Sequence, residues 1–272
     1  MFVSSIGRVL RLAVASAFLS SLAACVTTGP LKQDAAYHFA NDDEFREWLA
    51  FYYRKPQPEH LTAALDFMAQ HRYMKEFPDV SAVFLSQVFA QNPAQLAGWC
   101  DEWASQPRET WSVLLVALWF TGTPEGQKLV RDNLTRATPE VEQRMRASLD
   151  KPGETPSFDL LTAVPRHPRQ INLLWAAYSA TGDTRYVDRV IDQVHLYGAD
   201  DDEVGASVGE AAIMSLASNS VQHEAVARLC VERNEKDPDP KTRVLLRAML
   251  TAVARVTHGQ PPVPEKAEEP AH

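Results

Sequence analysis

The sequence predicts an all-α fold of helical hairpin repeats, in which an α-solenoid is favoured over a globular helix bundle. Three observations support this prediction. Amphipathic segments with apolar residues three and four positions apart follow one another from residue 41 to residue 255. Many of them begin at one of the 18 prolines, whose missing amide hydrogen is tolerated at the start of a helix. The chain has 11 glycines and no long alternating runs, which is untypical of a β protein.

The first helix is predicted from a capping pattern. Asn41 and Glu44 are three residues apart, so the Asn side chain can accept a backbone hydrogen bond while the Glu side chain reaches back. Phe45, Trp48 and Tyr52 then recur at helical spacing and indicate a buried face. We predict about twelve helices in all. The later ones are predicted to begin near Pro58, Asp79, Pro93, Glu109, Pro124, Pro139, Pro168, Asp183, Asp202, Val221 and Pro240.

Two stretches of the chain, residues 114–134 and residues 174–194, are similar to each other. Each contains a helix rich in Leu, Ala and Trp, then a Thr-Gly pair and a polar turn that begins the next helix. Gly122 aligns with Gly182 at an offset of 60, and glycine suits the left-handed conformation just past a helix end. Because each helical pair needs a neighbour to bury its apolar face, the pattern indicates an α-solenoid.

This arrangement resembles a divergent tetratricopeptide-type repeat protein. The resemblance implies stacked helical hairpins with a long concave surface that binds a protein or peptide. The chain departs from that family because a regular period of about 34 residues and the full Trp-Leu-Gly-Tyr-Ala-Pro signature are absent. The paired helices therefore follow from the residues themselves, whereas the superhelix is an expectation.

The first 25 residues have the layout of a secretory signal. Arg8 and Arg11 precede the apolar residues 12–24, a run shorter than the roughly 20 residues of a membrane-spanning helix. The run ends in Leu22-Ala23-Ala24-Cys25, which resembles the lipobox of bacterial lipoproteins. That resemblance implies cleavage before Cys25, attachment of diacylglycerol to its thiol and acylation of the new amino group. The alternative is an ordinary signal peptide, with Cys25 as a spare thiol.

Lipidation would attach the protein to a membrane. Several acyl chains, each contributing about 0.8 kcal/mol per buried methylene, form a durable anchor. By resemblance to enterobacterial lipoproteins, a residue other than Asp after the cysteine, here Val26, favours the outer membrane, with the protein facing the periplasm; other bacteria use other sorting rules. We therefore divide the chain into a signal peptide (1–24), a tether (25–36), an all-helical repeat domain (37–258) and a Pro-rich tail (259–272), which we expect to be disordered.

Charge and cysteine content exclude some classes of protein. The formal net charge of -8 argues against a nucleic-acid partner, because phosphate backbones favour a basic surface. The three cysteines are too few for a disulfide scaffold. Cys100 and Cys230 are predicted to be separate buried thiols, since pairing needs Cα atoms that are close together. A disulfide formed in an oxidising periplasm is the alternative.

Neither a catalytic nor a metal-binding set of residues emerges from the sequence, and no cofactor is predicted. Gly205-Ala206-Ser207-Val208-Gly209 matches the nucleophile elbow, but that motif follows a strand. The preceding run, Asp200 to Glu203, is typical of an acidic first turn of a helix and lacks the alternation of a calcium loop. His223-Glu224 lacks the second histidine of a zinc motif. His195 is predicted to be a half-buried structural residue on an amphipathic helix.

Four tryptophans are the candidates for a binding surface. Trp99 and Trp103 are four residues apart on one helix face, and Trp111 and Trp119 follow. Large aromatic side chains at helical spacing usually form core, which is the interpretation we favour. If one of them were exposed, residues 99–120 would be the best candidate for a surface that binds peptides or stacks on sugars.

The sequence therefore predicts a non-enzymatic, lipid-anchored outer-membrane scaffold that binds a protein or peptide of the cell envelope. One alternative is an all-α enzyme acting on peptidoglycan, which would need a positioned acidic residue in a cleft. Another is a helical bundle that binds a small apolar ligand. A concave groove, a deep carboxylate cleft and a closed apolar cavity are the surface features that distinguish the three.

Overall fold

The computed structural model describes residues 37–150, 159–199 and 202–257. These residues form an all-helical fold, as predicted, and contain no β-strand. Their thirteen α-helices are α1 (Asp42–Phe51), α2 (Leu61–Gln70), α3 (Tyr73–Glu76), α4 (Pro78–Gln91), α5 (Leu96–Glu102), α6 (Arg108–Phe120), α7 (Pro124–Asn133), α8 (Pro139–Leu149), α9 (Arg169–Thr181), α10 (Thr184–Ile191), α11 (Glu203–Gln222), α12 (Glu224–Lys236) and α13 (Pro240–Thr257).

Most predicted helix starts agree with the structure, and three points differ. Pro58 and Pro93 each begin a short 3-10 helix, and the α-helix starts three residues later. The predicted start near Val221 is wrong, because α11 continues to Gln222 and the extended backbone of His223, with φ -120° and ψ 105°, separates it from α12. The one-turn helix α3 was not predicted.

The described residues divide into two compact units. We call residues 37–150, 159–163 and 172–186 the N-terminal unit, and residues 164–171, 187–199 and 202–257 the C-terminal unit. In the N-terminal unit, α4 packs along α6, and α6 packs against α7. In the C-terminal unit, α11, α12 and α13 pack against one another in pairs. Each unit thus has its own set of packed helices.

The first helix begins with the predicted cap. The Asn41 Oδ1 atom accepts a hydrogen bond from the Glu44 amide at 2.9 Å. The Glu44 carboxylate reaches back one residue further than the standard capping box and accepts from the amide of Ala40 at 2.6 Å. Phe39, which is 8% exposed, packs edge-to-face against Phe45 at a centroid distance of 5.3 Å. Both polar and aromatic contacts therefore hold the residues just before α1 against the helix.

The two similar stretches fold alike in their local structure. Gly122 and Gly182 follow the ends of α6 and α9 and have φ angles of 67° and 70°, so the predicted left-handed caps are confirmed. In each Thr-Gly pair the Thr Oγ1 atom accepts from the amide two residues later, at 3.4 Å and 3.1 Å. Beyond α7 and α10, a 3-10 helix follows at residues 134–136 and 194–196. The offset of 60 is thus shared by the caps and the final turns.

Replacing either glycine with alanine should destabilise the fold. Gly122→Ala should lower the free energy of unfolding by about 1 kcal/mol, which is the penalty of the left-handed conformation for alanine. No steric clash adds to this penalty, because no atom lies within 4 Å of the added Cβ. Gly182→Ala should cost more, about 2 kcal/mol, because its Cβ would also lie 2.6 Å from Cδ2 of Tyr53. Chemical denaturation measures both values. A variant more stable than the wild type would contradict the assignment of that glycine as a cap.

Candidate functional site

The outward face of α13 is the candidate site. Val244, Arg247, Thr251 and Arg255 recur three and four residues apart, which places them along one side of the helix. Val244 is 64% exposed, Arg247 and Thr251 are exposed, and Arg255 is half-buried. The opposite side of the helix is buried and includes Leu246 and Met249. We call the four outward residues the α13 stripe.

The charges on α13 are unbalanced within the helix itself. The helix carries four basic residues and no Asp or Glu, the basic residues being Lys241, Arg243, Arg247 and Arg255. The neighbouring helix α12 pairs two of its three cations internally, with Arg228 3.6 Å from Glu224 and Lys236 3.1 Å from Glu232. Within the described part of the chain, the charged groups of Arg247 and Arg255 have neither an ion pair nor a hydrogen bond. The stripe is therefore a positive surface on an acidic protein.

A partly buried polar network lies at the junction between α12 and α13. The Arg233 guanidinium contacts three carboxylates, those of Asp188 at 2.8 Å, Asp192 at 2.8 Å and Asp237 at 2.6 Å. The Asp237 side chain is 4% exposed. The backbone carbonyl oxygen of Asp237 accepts a hydrogen bond from the Arg243 guanidinium. These contacts raise the pKa of Arg233 despite the opposing effect of burial. The network thus connects α12 to the start of α13.

The first turn of α13 is also capped. Asp239 accepts from the amide and the hydroxyl of Thr242 at 2.8 Å and 2.7 Å. These hydrogen bonds, chiefly the one from the hydroxyl, lower the pKa of Asp239 from its ordinary value. A carboxylate at this end also complements the helix dipole. The start of the helix that carries the stripe is therefore fixed by side chains that lie outside the stripe.

The four nominated tryptophans lie in the core. Trp99, Trp103, Trp111 and Trp119 are 8%, 2%, 1% and 8% exposed. The rings of Trp99 and Trp103 stack at 5.8 Å, and the Trp111 Nε1 donates to the Trp103 carbonyl at 3.1 Å. The condition for a binding surface at residues 99–120, an exposed indole, is therefore not met. Of the six tryptophans, Trp175 on α9 is half-buried rather than buried.

The N-terminal unit contains one small cavity among the residues that the structure describes. It has a volume of about 50 Å³, and its polar lining includes Ser86, Gln87, Asp159 and Tyr186. The Tyr186 hydroxyl donates to the Gln87 side chain at 3.5 Å, and burial raises the pKa of this tyrosine. Pockets for small organic ligands measure about 300–1,000 Å³, so this cavity is suited to water-sized molecules.

The Gly-x-Ser-x-Gly motif lies within α11 and not after a strand. The Ser207 hydroxyl donates to the carbonyl of Val204 on its own helix at 2.8 Å, and the Asp202 Oδ1 atom caps the helix by accepting from the Gly205 amide at 2.8 Å. Asp200 and Asp201 lie outside the described residues. A Cβ on Gly209 would lie 2.2 Å from the Tyr197 nitrogen, so this glycine allows the close backbone contact expected from the small residues.

The two cysteines in the described region are separate buried thiols, as predicted. Burial raises the pKa of both Cys100 and Cys230 to about 11. Because the thiolate is the reactive form, both are expected to react slowly in the folded protein. Cys25, the predicted lipidation site, lies outside the described residues.

Two further searches cover only the described region. None of its helices is long and apolar enough to cross a membrane. Among these residues no group of three or more His, Cys, Asp and Glu side chains is arranged to hold a metal ion. The predicted half-burial of His195 is wrong, because its side chain is exposed, with Nδ1 2.7 Å from the Asp192 carbonyl oxygen. Comparison of the chain with protein-family models, curated proteins and solved structures found no match.

The sequence interpretation missed the α13 stripe. The sequence predicts a helix that begins near Pro240, and α13 does begin there, but no binding surface is predicted on it. The signal was present, because residues 240–257 contain four basic residues and no acidic one. The exposure of Val244 could not be inferred in the same way, since valine at that spacing is equally consistent with a buried position.

Proposed function

We propose that this protein is a lipid-anchored outer-membrane protein, facing the periplasm, that binds another envelope protein or a peptide without catalysing a reaction. The observation that carries the binding proposal is the α13 stripe, in which the 64% exposed Val244 lies one turn from Arg247 and about 16 Å along the helix axis from Arg255. Neither arginine has an ion partner in the described region. An exposed apolar side chain with adjacent arginines is typical of protein-binding surfaces.

The proposed architecture is a short α-solenoid related to tetratricopeptide-type repeats. The matched glycine caps after α6 and α9, each followed by a further helix, support it. Stacked pairs of this kind present extended surfaces to partners. The Leu22-Ala23-Ala24-Cys25 sequence supports the anchor, with residues 25–36 as the tether.

Radiolabelled palmitate tests the anchor. The label should enter the wild-type protein and should be absent from Cys25→Ser, because the thiol of Cys25 is the proposed site of diacylglycerol attachment. Cell fractionation should place the wild type with the outer membrane, and the variant should be lost from that fraction. Equal labelling of both proteins would contradict the lipoprotein proposal.

A comparison of two valine variants tests the binding surface. The full chain, purified in mild detergent, is used to capture proteins from detergent-solubilised envelopes, and capture is quantified for wild type, Val244→Asp and Val164→Asp. Val164 is the matched control because it is 63% exposed and lies outside the stripe. A partner protein should bind saturably to the wild type and to Val164→Asp. The amount captured by Val244→Asp should be lower by about ten-fold or more. Equal capture by all three proteins would contradict a role for the stripe.

A further inference from the structure

The spacing and type of the cations in the α13 stripe restrict the chemistry of the partner. Arg247 and Arg255 are eight residues apart, which corresponds to about 12 Å along the helix axis. An arginine side chain offers a planar set of donors that matches a carboxylate in a two-point contact. Lys241 adds a further exposed cation toward the start of the helix. The surface is therefore a line of carboxylate-binding groups.

We propose that the α13 stripe binds an acidic segment of a protein partner, one whose carboxylates pair with Arg247 and Arg255 while its aliphatic atoms contact Val244. This inference rests on the proposed function and specifies the class of partner. Charge complementarity carries it, because α13 has no acidic residue with which to neutralise its own cations. Val244 lies one turn from Arg247 and about three turns, or 16 Å along the helix axis, from Arg255. An extended segment that runs along the stripe therefore meets both apolar and charged groups.

An anionic membrane is the competing occupant of a basic helix face. Helices that lie in the membrane interface insert large apolar residues such as Trp, Phe and Leu from the face opposite their cations. On α13 the apolar side opposite the stripe is buried within the protein, and Leu246 and Met249 are both 0% exposed. The exposed side offers one strongly exposed apolar residue, Val244, which favours a protein partner over insertion into lipid.

Fluorescence anisotropy with two defined peptides tests the proposal. The full chain in non-ionic detergent is titrated into a labelled peptide of four Glu-Ala-Ala-Glu repeats or the same peptide with Gln in place of Glu. Wild type should bind the Glu peptide about ten-fold more tightly than the Gln peptide. Raising the salt from about 50 mM to about 300 mM should reduce this preference, because the paired charges are exposed.

Matched charge reversals control for folding and for net charge. Arg247→Glu/Arg255→Glu should lose the preference for the Glu peptide, whereas Lys75→Glu/Arg144→Glu, an equal charge change at two exposed positions, should keep it. The milder Arg247→Gln/Arg255→Gln double variant should lose the same preference if the reversed variant unfolds. Equal binding of the two peptides by wild type, or an unchanged preference in the α13 variants, would overturn the proposal.

Binding to vesicles of phosphatidylglycerol and of phosphatidylcholine distinguishes an acidic protein partner from an anionic membrane. Binding to phosphatidylglycerol vesicles that depends on Arg247 and Arg255, without a preference for the Glu peptide, would reject the acidic partner and assign the surface to lipid. If the Glu peptide fails but Val244→Asp still abolishes capture of an envelope partner, the proposed function stands and this inference fails. Failure of both experiments would reject the binding function itself.

Discussion

Replacing Arg233 with methionine is expected to lower the free energy of unfolding by about 3 kcal/mol, because the buried carboxylate of Asp237 would lose its charged partner. The value is at the lower end for a broken buried ion pair, since the Arg233 side chain is 24% exposed and Asp237 alone among its three partners is deeply buried. Urea denaturation followed by circular dichroism measures the change.

Three further variants test whether the lost stability comes from the unpaired Asp237 carboxylate. Arg233→Lys keeps the charge but cannot make the same set of contacts with three carboxylates, so its loss should be intermediate. Asp237→Asn in the Arg233→Met background should recover part of the stability by removing the orphaned charge. Arg228→Met removes a pair with 70% and 91% exposed side chains on the same helix and should change stability by less than about 0.5 kcal/mol. Equal losses for Arg228 and Arg233 would contradict this account.

Gly209→Ala is expected to destabilise the protein by about 2–3 kcal/mol. Gly209 lies inside α11, where alanine is ordinarily favoured over glycine by about 1 kcal/mol. Here the added Cβ would lie 2.2 Å from the Tyr197 nitrogen and 2.5 Å from the Leu196 carbonyl carbon. Since these are backbone atoms, they cannot rotate away, and the chain before α11 must shift. Thermal and urea denaturation measure the loss.

Gly98→Ala is the matched control for Gly209→Ala. Gly98 also lies inside a helix, α5, but it is exposed and has no atom within 4 Å of an added Cβ. This substitution should therefore stabilise the protein by about 0.5–1 kcal/mol. If both variants were stabilised, the close approach between α11 and the 3-10 helix at residues 194–196 would be refuted.

Much of the helical fold could be predicted because its determinants are local. The Asn41 cap and the glycines at 122 and 182 act through neighbouring backbone atoms, so their residue types and spacing were sufficient. The start of α12 was misplaced because Val221 and His223 differ little in helix propensity. The observed boundary depends on the extended backbone of His223, whose side chain is 1% exposed within the C-terminal unit. Such burial is a tertiary effect.

The candidate site was less accessible from the sequence. The helical spacing of the four tryptophans favours core positions, and their burial agrees with that interpretation. The importance of Arg247 depends on the absence of a partner from every packed neighbour in the described region, which no linear pattern reveals. Likewise, Arg233 on α12 and Asp188 on α10 are 45 residues apart in sequence, so their ion pair required the tertiary structure.

Photo-crosslinking in cells tests the central claim, that the anchored protein binds an envelope partner through α13, most directly. A photoreactive amino acid replaces Thr251, which is exposed between the two arginines, or Arg144 on α8 as the control position. We expect a defined protein adduct from position 251 that is absent from position 144 and is lost when Val244→Asp is added. Absence of an adduct at position 251, or the same adducts from both positions, would contradict it.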